Sequence, residues 1–261
     1  MSVSPARTDM DLDRRFGGVS RLYGRAGAAR IRASHVVVVG IGGVGSWAAE
    51  ALARSGIGAL TLIDLDNVAE SNINRQLHAL DETIGQPKVE AMSRRIHAYH
   101  PDCRVHAVED FLDEDNVAKL LGTYPVDGVI DCCDQVRAKV ACVVHSHEHS
   151  LLFISVGAAG GRMLAHQVEI DDLGHLTHDP LLAQVRYRLR RHHHFPPAGK
   201  AMRVPCVFSR EPIQRAADGC GIQQDNSLNC AGYGSSVAVT ATFGMTAAGW
   251  MLKKIASAPD A

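Results

Sequence analysis

The sequence predicts an α/β protein: a mostly parallel sheet with helices on both faces and an antiparallel C-terminal extension. Three observations carry that prediction. Short β-branched runs alternate with helical periodicity from residue 35 to 157, the pattern that right-handed crossovers wind into a parallel sheet. A glycine loop, "GIGGVGS" (40–46), joins the first such run to the first helix, which makes the expected sheet Rossmann-like. After Gly157 the alternation stops, and "AAGGRMLAHQVEIDDLGHLTHDP" (158–180) reads as antiparallel strand material around glycine turns.

Each element has its own justification. "HVVVV" (35–39) is an apolar, β-branched run that suits a buried parallel strand. "SWAAEALARSG" has helical periodicity and a glycine stop at Gly56. "ALTLID" (59–64) is the second strand, and a helix runs from near Pro87 to before Pro101. "CRVHAVE" is strand-like, "DEDNVAKLLG" helical, and "VDGVID" (126–131) another buried strand. A helix over "VRAKVACVVHSHEHS" leads to the strand "LLFISVG". Beyond the break, "LLAQVRYRLRR" is a helix, "HHHFPPAGKAMRVP" a basic loop and "CVFS" a short strand. "DGCGIQQDNSLNCAGYGSS" is long and glycine-rich, the mark of a functional loop. The closing helix, "VAVTATFGMTAAGWMLKKI", carries an uncharged run short of the ~20 residues that span a bilayer. Gly244 and Gly249 suit close packing, so a buried helix is expected, with membrane association as the alternative. Residues 1–157 form a nucleotide-binding core, and residues 158–261 an extension of the same domain with substrate loops and the closing helix.

Composition narrows the class. The 261 residues are 46% hydrophobic and 21% charged, with a net charge of -1, ordinary for a globular chain. That balance gives no global signature of nucleic-acid binding but leaves room for a local basic patch. The first residues lack the apolar run of a secretory signal, so a cytoplasmic location is expected. Seven cysteines, no two of them two residues apart, exclude the paired zinc-knuckle spacing and suit reduced structural thiols. The histidines are scattered except for His145, His147, His149 and the run His192 to His194, which read as a mildly basic surface rather than a metal site.

The glycine loop has a physical logic. Gly40 permits a tight turn, Gly42 and Gly43 let phosphate approach the backbone, and Gly45 lets helix and strand pack closely. Amides at the helix start attract phosphate oxygens. Asp64 ends the second strand where a carboxylate accepts both ribose hydroxyls, and Asp66 and Gln76 complete the nucleotide-binding set. Up to this point NAD and ATP fit equally well. "DLDNVAESNINRQ" (64–76) separates them: Asn72 and Arg75 lie three apart on one face of a helical turn, and "GQPK" brings Lys88 to the next helix start. Converging cations suit a triphosphate whose charge must be clamped while pyrophosphate leaves. Asp134, at the end of "DCCD" past the fourth strand, is positioned to hold magnesium through waters.

These four stretches resemble the adenylating core shared by ubiquitin-activating enzymes and their bacterial relatives MoeB and ThiF, from about Arg15 to about Gly157. The resemblance implies that the glycine loop and Asp64 hold ATP, that Asn72, Arg75 and Lys88 bind and polarise its phosphates, and that Asp134 carries magnesium. It implies attack of a carboxylate on the α-phosphate, giving an acyl-adenylate and pyrophosphate. The two CxxC pairs usual in MoeB and ThiF are absent here. "RRFGGVSRLYG", "SVGAAGG", "PCVFS" and "VTATFG" are instead similar to a tRNA-modifying branch, the threonylcarbamoyladenosine dehydratases. In that branch the threonyl carboxylate is adenylated, and the tethered carbamoyl oxygen closes an oxazolone ring, expelling AMP.

Two other classes stay open: an adenylyltransferase acting on the C-terminal glycine of a ubiquitin-like sulfur carrier, and a non-catalytic nucleotide scaffold or NAD enzyme. A sulfur-transfer partner protein also stays open. So does a monovalent cation, which carbonyl-rich loops hold without signature residues. "RYRLRRHHHF" and "GKAMRVP" offer a landing strip for tRNA phosphates, with Tyr187 and Phe195 as local candidates for base stacking. Cys230, in "NCAGYG", lies where ubiquitin-activating relatives keep a thioester cysteine, and has either a structural role or a catalytic assist. Arg15, in "RRFGG", occupies the stretch that in relatives reaches across a homodimer to the partner's ATP; Arg14 and Arg21 compete for that role.

Overall fold

A computed structural model describes residues 11–214 and 233–259. Seven strands form one sheet: β1 (His35–Val39), β2 (Ala59–Ile63), β3 (Arg104–Val108), β4 (Gly128–Asp131), β5 (Leu152–Val156), β6 (Val168–Asp172) and β7 (Pro205–Ser209). Their order is β3-β2-β1-β4-β5-β7-β6. The first five are parallel, β7 pairs parallel with β5, and β6 pairs antiparallel with β7. The extension is therefore antiparallel only at its outer strand. The sheet continues across residue 157, because "CVFS" enters beside β5.

The helices are α1 (Leu12–Ala33), α2 (Gly45–Arg54), α3 (Lys88–Tyr99), α4 (Val117–Gly122), α5 (Val136–Glu148), α6 (Pro180–His192) and α7 (Val237–Ala256). β1 shows why both faces are covered. Side chains alternate across a strand, so Val36 and Val38 join the core under α2, α3 and α7, while Val37 and Val39 join the core under α5 and α6. The closing helix α7 is a core element: Val239, Phe243, Ala247, Ala248 and Met251 are fully buried. It crosses α2 so closely that a Cβ on Gly244 would lie 2.3 Å from the Val44 carbonyl oxygen. No helix among the described residues is long and apolar enough to cross a membrane.

Helix α1 has no counterpart in the sequence reading. Asp11 caps it by accepting from the Arg14 amide at 2.9 Å, and Phe16 anchors it against the His100 ring, 4.7 Å between centroids. Gly24, at φ 74°, kinks it.

Candidate active site

The strand order reverses between β1 and β4, where open α/β sheets present their ligand crevice. Two loops wall that crevice. The loop after β1 carries Gly40 to Gly45, and the loop after β4 carries Cys132 to Asp134. They touch: Gly40 has φ +83°, and a Cβ there would meet the Cys133 amide nitrogen at 2.9 Å. A Cβ on Gly45 would sit 1.8 Å from the Gly40 carbonyl oxygen. Glycine is required at both, since any side chain would open the turn that aims the α2 amides into the crevice.

Asp64 locks this loop to β2. Its Oδ2 accepts from the Ile41 amide at 2.6 Å and its Oδ1 from the Asp66 amide at 2.9 Å. Burial pushes the Asp64 carboxyl up, while Lys88 and those two amides pull it back. Lys88 is buried at the start of α3, with Nζ 2.6 Å from Asp66 Oδ2 and 3.9 Å from Asp64 Oδ1. Asn72 is buried on a 3-10 turn, and its Oδ1 accepts from the Ala69 amide at 3.0 Å, leaving its amide hydrogens to donate. Arg75 lies across the glycine loop, its Cγ 3.1 Å from where a Gly43 Cβ would stand. Its backbone carbonyl accepts from Trp47 Nε1 at 3.0 Å, and its Nη1 donates to Ser71 and Asn74 oxygens. Gln76 is buried 3.9 Å from a Gly42 Cβ position, and its Oε1 has no hydrogen-bond partner among the described residues. A buried, unpaired acceptor beside a side-chain-free cradle fits a ligand that brings hydroxyl or amino donors.

Asp134 is half-buried in the loop after β4. No cluster of three metal-ligating side chains exists among the described residues. A single carboxylate is compatible only with an ion that takes its other ligands from phosphate oxygens and water, as magnesium does.

Other sequence expectations are not gathered here. Arg15 donates to the Tyr99 carbonyl at the far end of α3, away from the glycine loop of its own chain. Cys230 lies outside the described residues. Burial pushes the thiols of Cys132, Cys133, Cys142 and Cys206 far up, and that of Cys103 to about 12, so these five stay protonated. Phe195 packs on His147, centroids 5.2 Å apart, and is not a free stacking platform.

The sequence reading missed a polar hub behind the crevice. Lys139, with no exposed surface, bonds Asp131 Oδ2 (3.0 Å), Ser155 Oγ (3.2 Å) and the Val156 carbonyl (2.7 Å). Burial is the largest single influence and opposes its charge, but the Asp131 carboxylate, its hydrogen bond and the neighbouring Cys132 and Cys133 together raise its pKa. Beyond it, the buried Arg162 faces Asp179 at 3.5 Å and donates to the carbonyls of Ala158, His178, Ser209 and Glu211. One signal was available: Lys139 interrupts the apolar run "AKVACVV", and a lone charge there implies a buried partner.

Fold and site together define a nucleotide-binding α/β protein of the adenylating class, with its phosphate cradle at the β1/β4 switch point. The chain belongs to the ThiF family, whose model matches residues 14–260. It is 41% identical over 254 residues to a tRNA threonylcarbamoyladenosine dehydratase of Haemophilus influenzae, covering 96% of each chain. It is 42% identical over 250 residues to the enzyme of that name from Escherichia coli, covering 92% of this chain and 93% of the relative. Among solved structures, the Escherichia coli dehydratase TcdA in complex with ATP superposes with a TM-score of 0.84 at 40% identity, covering 98% of this chain and 97% of the other. The Escherichia coli molybdopterin-synthase adenylyltransferase is 38% identical over only 113 residues, 43% of this chain.

Proposed function

We propose that this protein catalyses the ATP-dependent dehydration of threonylcarbamoyladenosine in tRNA, cyclising the threonyl side arm to an oxazolone. The observation that supports the reading is Arg75 lying across Gly43, with Lys88 beside the Asp64 that binds the Ile41 amide, in a chain alike over more than nine tenths of its length to dehydratases of that name. The threonyl carboxylate attacks the α-phosphate of ATP and expels pyrophosphate; the carbamoyl oxygen then attacks the resulting acyl-adenylate carbonyl, the neighbouring N–H loses its proton, and AMP is expelled.

The chain's own residues hold and polarise. Asp64 would orient the ribose, the Gly40–Gly45 amides and the α2 dipole would receive phosphate oxygens, and Asp134 would hold a magnesium ion that neutralises phosphate charge. Arg75 and Lys88 neutralise charge that builds on the phosphates, where donors fixed in advance stabilise a transition state most. Ring closure needs no enzyme nucleophile, because the attacking carbamoyl oxygen is tethered to its target.

A homodimer completes the reading. Leu65, Ile73, Leu80 and Ile84 are exposed large apolar residues around the cradle segment, a surface that a second copy would cover. Arg15, directed away from its own cradle, is then available to a partner's. The deciding experiment incubates protein, ATP and tRNA bearing the modification, and profiles nucleosides by mass. The expected result is loss of one water from the threonylcarbamoyl adduct with matching AMP; tRNA left unchanged under ATP overturns the reading.

A further inference from the structure

The cradle receives ATP, and the carboxylate to be activated must approach from beside it. An open pocket of about 310 Å³ lies there, with walls that include Gly161, Arg162, Met163, Gln214, Ser235 and Ser236. Like the cradle, it lies beyond the carboxyl ends of the parallel strands. The loop after β5 carries Gly161 to Met163, and Arg162 Nη1 donates to the carbonyl of Ser209, the last residue of β7.

Pocket and cradle adjoin. Asn74 Nδ2 donates to the Ser235 carbonyl at 3.0 Å, and Asn74 Oδ1 accepts from Arg75 Nη1 at 2.9 Å. Thr240 Cγ2 is 3.5 Å from where a Gly43 Cβ would stand. Thr240 follows Ser236 along α7 by about 6 Å, at 1.5 Å per residue. Gly161 fixes the opposite wall: its amide donates to the Gly234 carbonyl and its carbonyl accepts from the Gln214 amide, both at 2.8 Å. At φ +73° it has no room for a side chain, since a Cβ would meet Ile213 Cγ2 at 2.6 Å.

The lining is selective in its chemistry. Every nitrogen of the buried Arg162 guanidinium is bonded to a backbone carbonyl, and Asp179 balances its charge. It offers no free cation to a carboxylate. What stays available is neutral: the hydroxyls of Ser235 and Ser236 and the side-chain amide of Gln214, none with a hydrogen-bond partner among the described residues. Ser236 stands at the N-cap of α7 yet its side chain makes no capping bond. Met163, 63% exposed, adds an apolar edge. Hydroxyls and an amide beside a thioether suit a small, uncharged, hydroxylated aliphatic group, hydrogen-bonded on one side and in van der Waals contact on the other.

We propose that this pocket reads the 1-hydroxyethyl side chain of the threonyl arm, with Ser235, Ser236 and Gln214 as specificity-determining residues. The carboxylate of the same arm points into the cradle, where the cations are. The inference rests on the dehydration of threonylcarbamoyladenosine proposed above. It gives the pocket a task that adenylation itself does not require, the choice of which acyl group is activated.

The test uses full-length tRNAs ligated from synthetic fragments, bearing threonylcarbamoyladenosine or its 2-aminobutyryl analogue, in which hydrogen replaces the hydroxyl. Wild-type protein is expected to cyclise the threonyl form with about tenfold higher kcat/KM, because the analogue leaves the pocket's polar groups unpaired. In S235A/S236A/Q214A that ratio is expected to fall below about two, with the analogue's kcat/KM within about twofold of wild type. Ser236→Ala alone, which removes no cap bond, is expected to lower the ratio about threefold. A ratio does not depend on the fraction of folded protein, so a value that stays near ten in both variants overturns the inference. Equal wild-type values for the two substrates overturn it without any variant, and leave the proposed reaction standing. Protein that cyclises neither tRNA under ATP sinks the proposed reaction, and the inference with it.

Discussion

Two lysine–carboxylate pairs flank the same crevice, and their settings differ. Lys88 and Asp66 meet at 2.6 Å, with the Asp66 side chain 73% exposed. Lys139 and Asp131 meet at 3.0 Å with neither side chain exposed. The first pair is screened by water and is broken at little cost when phosphate arrives. The second has surrendered its hydration, and only mutual attraction and further hydrogen bonds repay that. Charge on the open side is available for chemistry; charge on the closed side holds β4, β5 and the loop bearing Asp134 in register. Distance alone would not distinguish them.

The largest expected effect falls on the closed pair. Lys139→Met leaves Asp131 buried and uncompensated, and should lower unfolding free energy by about 3–5 kcal/mol. In a thermodynamic cycle with Asp131→Asn, the double variant should recover about 1–3 kcal/mol of the summed losses. Strict additivity in denaturant melts would mean that the two charges do not depend on each other.

On the open side the damage should appear in rate. Lys88→Ala and Arg75→Ala are each expected to slow AMP formation by about 100-fold or more. Stability should move by less than for Lys139→Met, about 1–3 kcal/mol for Lys88→Ala, because Asp66 is largely in water while buried Asp64, 3.9 Å away, loses a compensating charge. Near-normal turnover in either variant would remove that residue from the phosphate clamp.

This contrast also explains what the sequence made legible. The cradle is written in consecutive motifs, residues 40–46, 64–76 and 85–88, each tied to a strand end, so its parts could be read in order. The hub is assembled from residues 131, 139, 155, 162, 179 and 211, which only the sheet brings together. Helix α1 was hidden by Gly17, Gly18, Gly24 and Gly27, which weaken any helical pattern. The place of β7 inside the sheet was equally non-local, since nothing in "CVFS" says that it lies between β5 and β6.

A smaller effect tests the bridge between the two sides. Asp64 is buried and is proposed to accept the ribose hydroxyls as an ionised carboxylate, while burial raises its pKa above the ordinary 3.8. The KM for ATP should therefore climb as pH falls through that raised value, along a limb that Asp64→Asn abolishes. The linkage sign is the reverse of a salt-bridged acid. The ionised Asp64 burdens the empty fold at pH above its folded pKa, and the burden disappears as pH falls below its unfolded value. Asp64→Asn should raise the KM for ATP by about 10–100-fold, the worth of a charged hydrogen bond. A limb that survives the substitution would assign the titration to another group.

The smallest effect is the most discriminating. Asp66 has two readings: a direct contact for the nucleotide, or a resting partner that holds Lys88 beside Asp64 until phosphate competes for it. Its exposure and its 2.6 Å bond to Lys88 favour the second. A resting partner opposes binding, since the pair must part before Lys88 turns to the phosphates. An exposed pair is worth at most about 1 kcal/mol, so Asp66→Asn should lower the KM for ATP by up to about fivefold, most clearly at low salt where pairing is strongest. A direct contact moves the other way, because its loss weakens binding at every salt concentration. The direction of the change in KM, more than its size, decides which role Asp66 has.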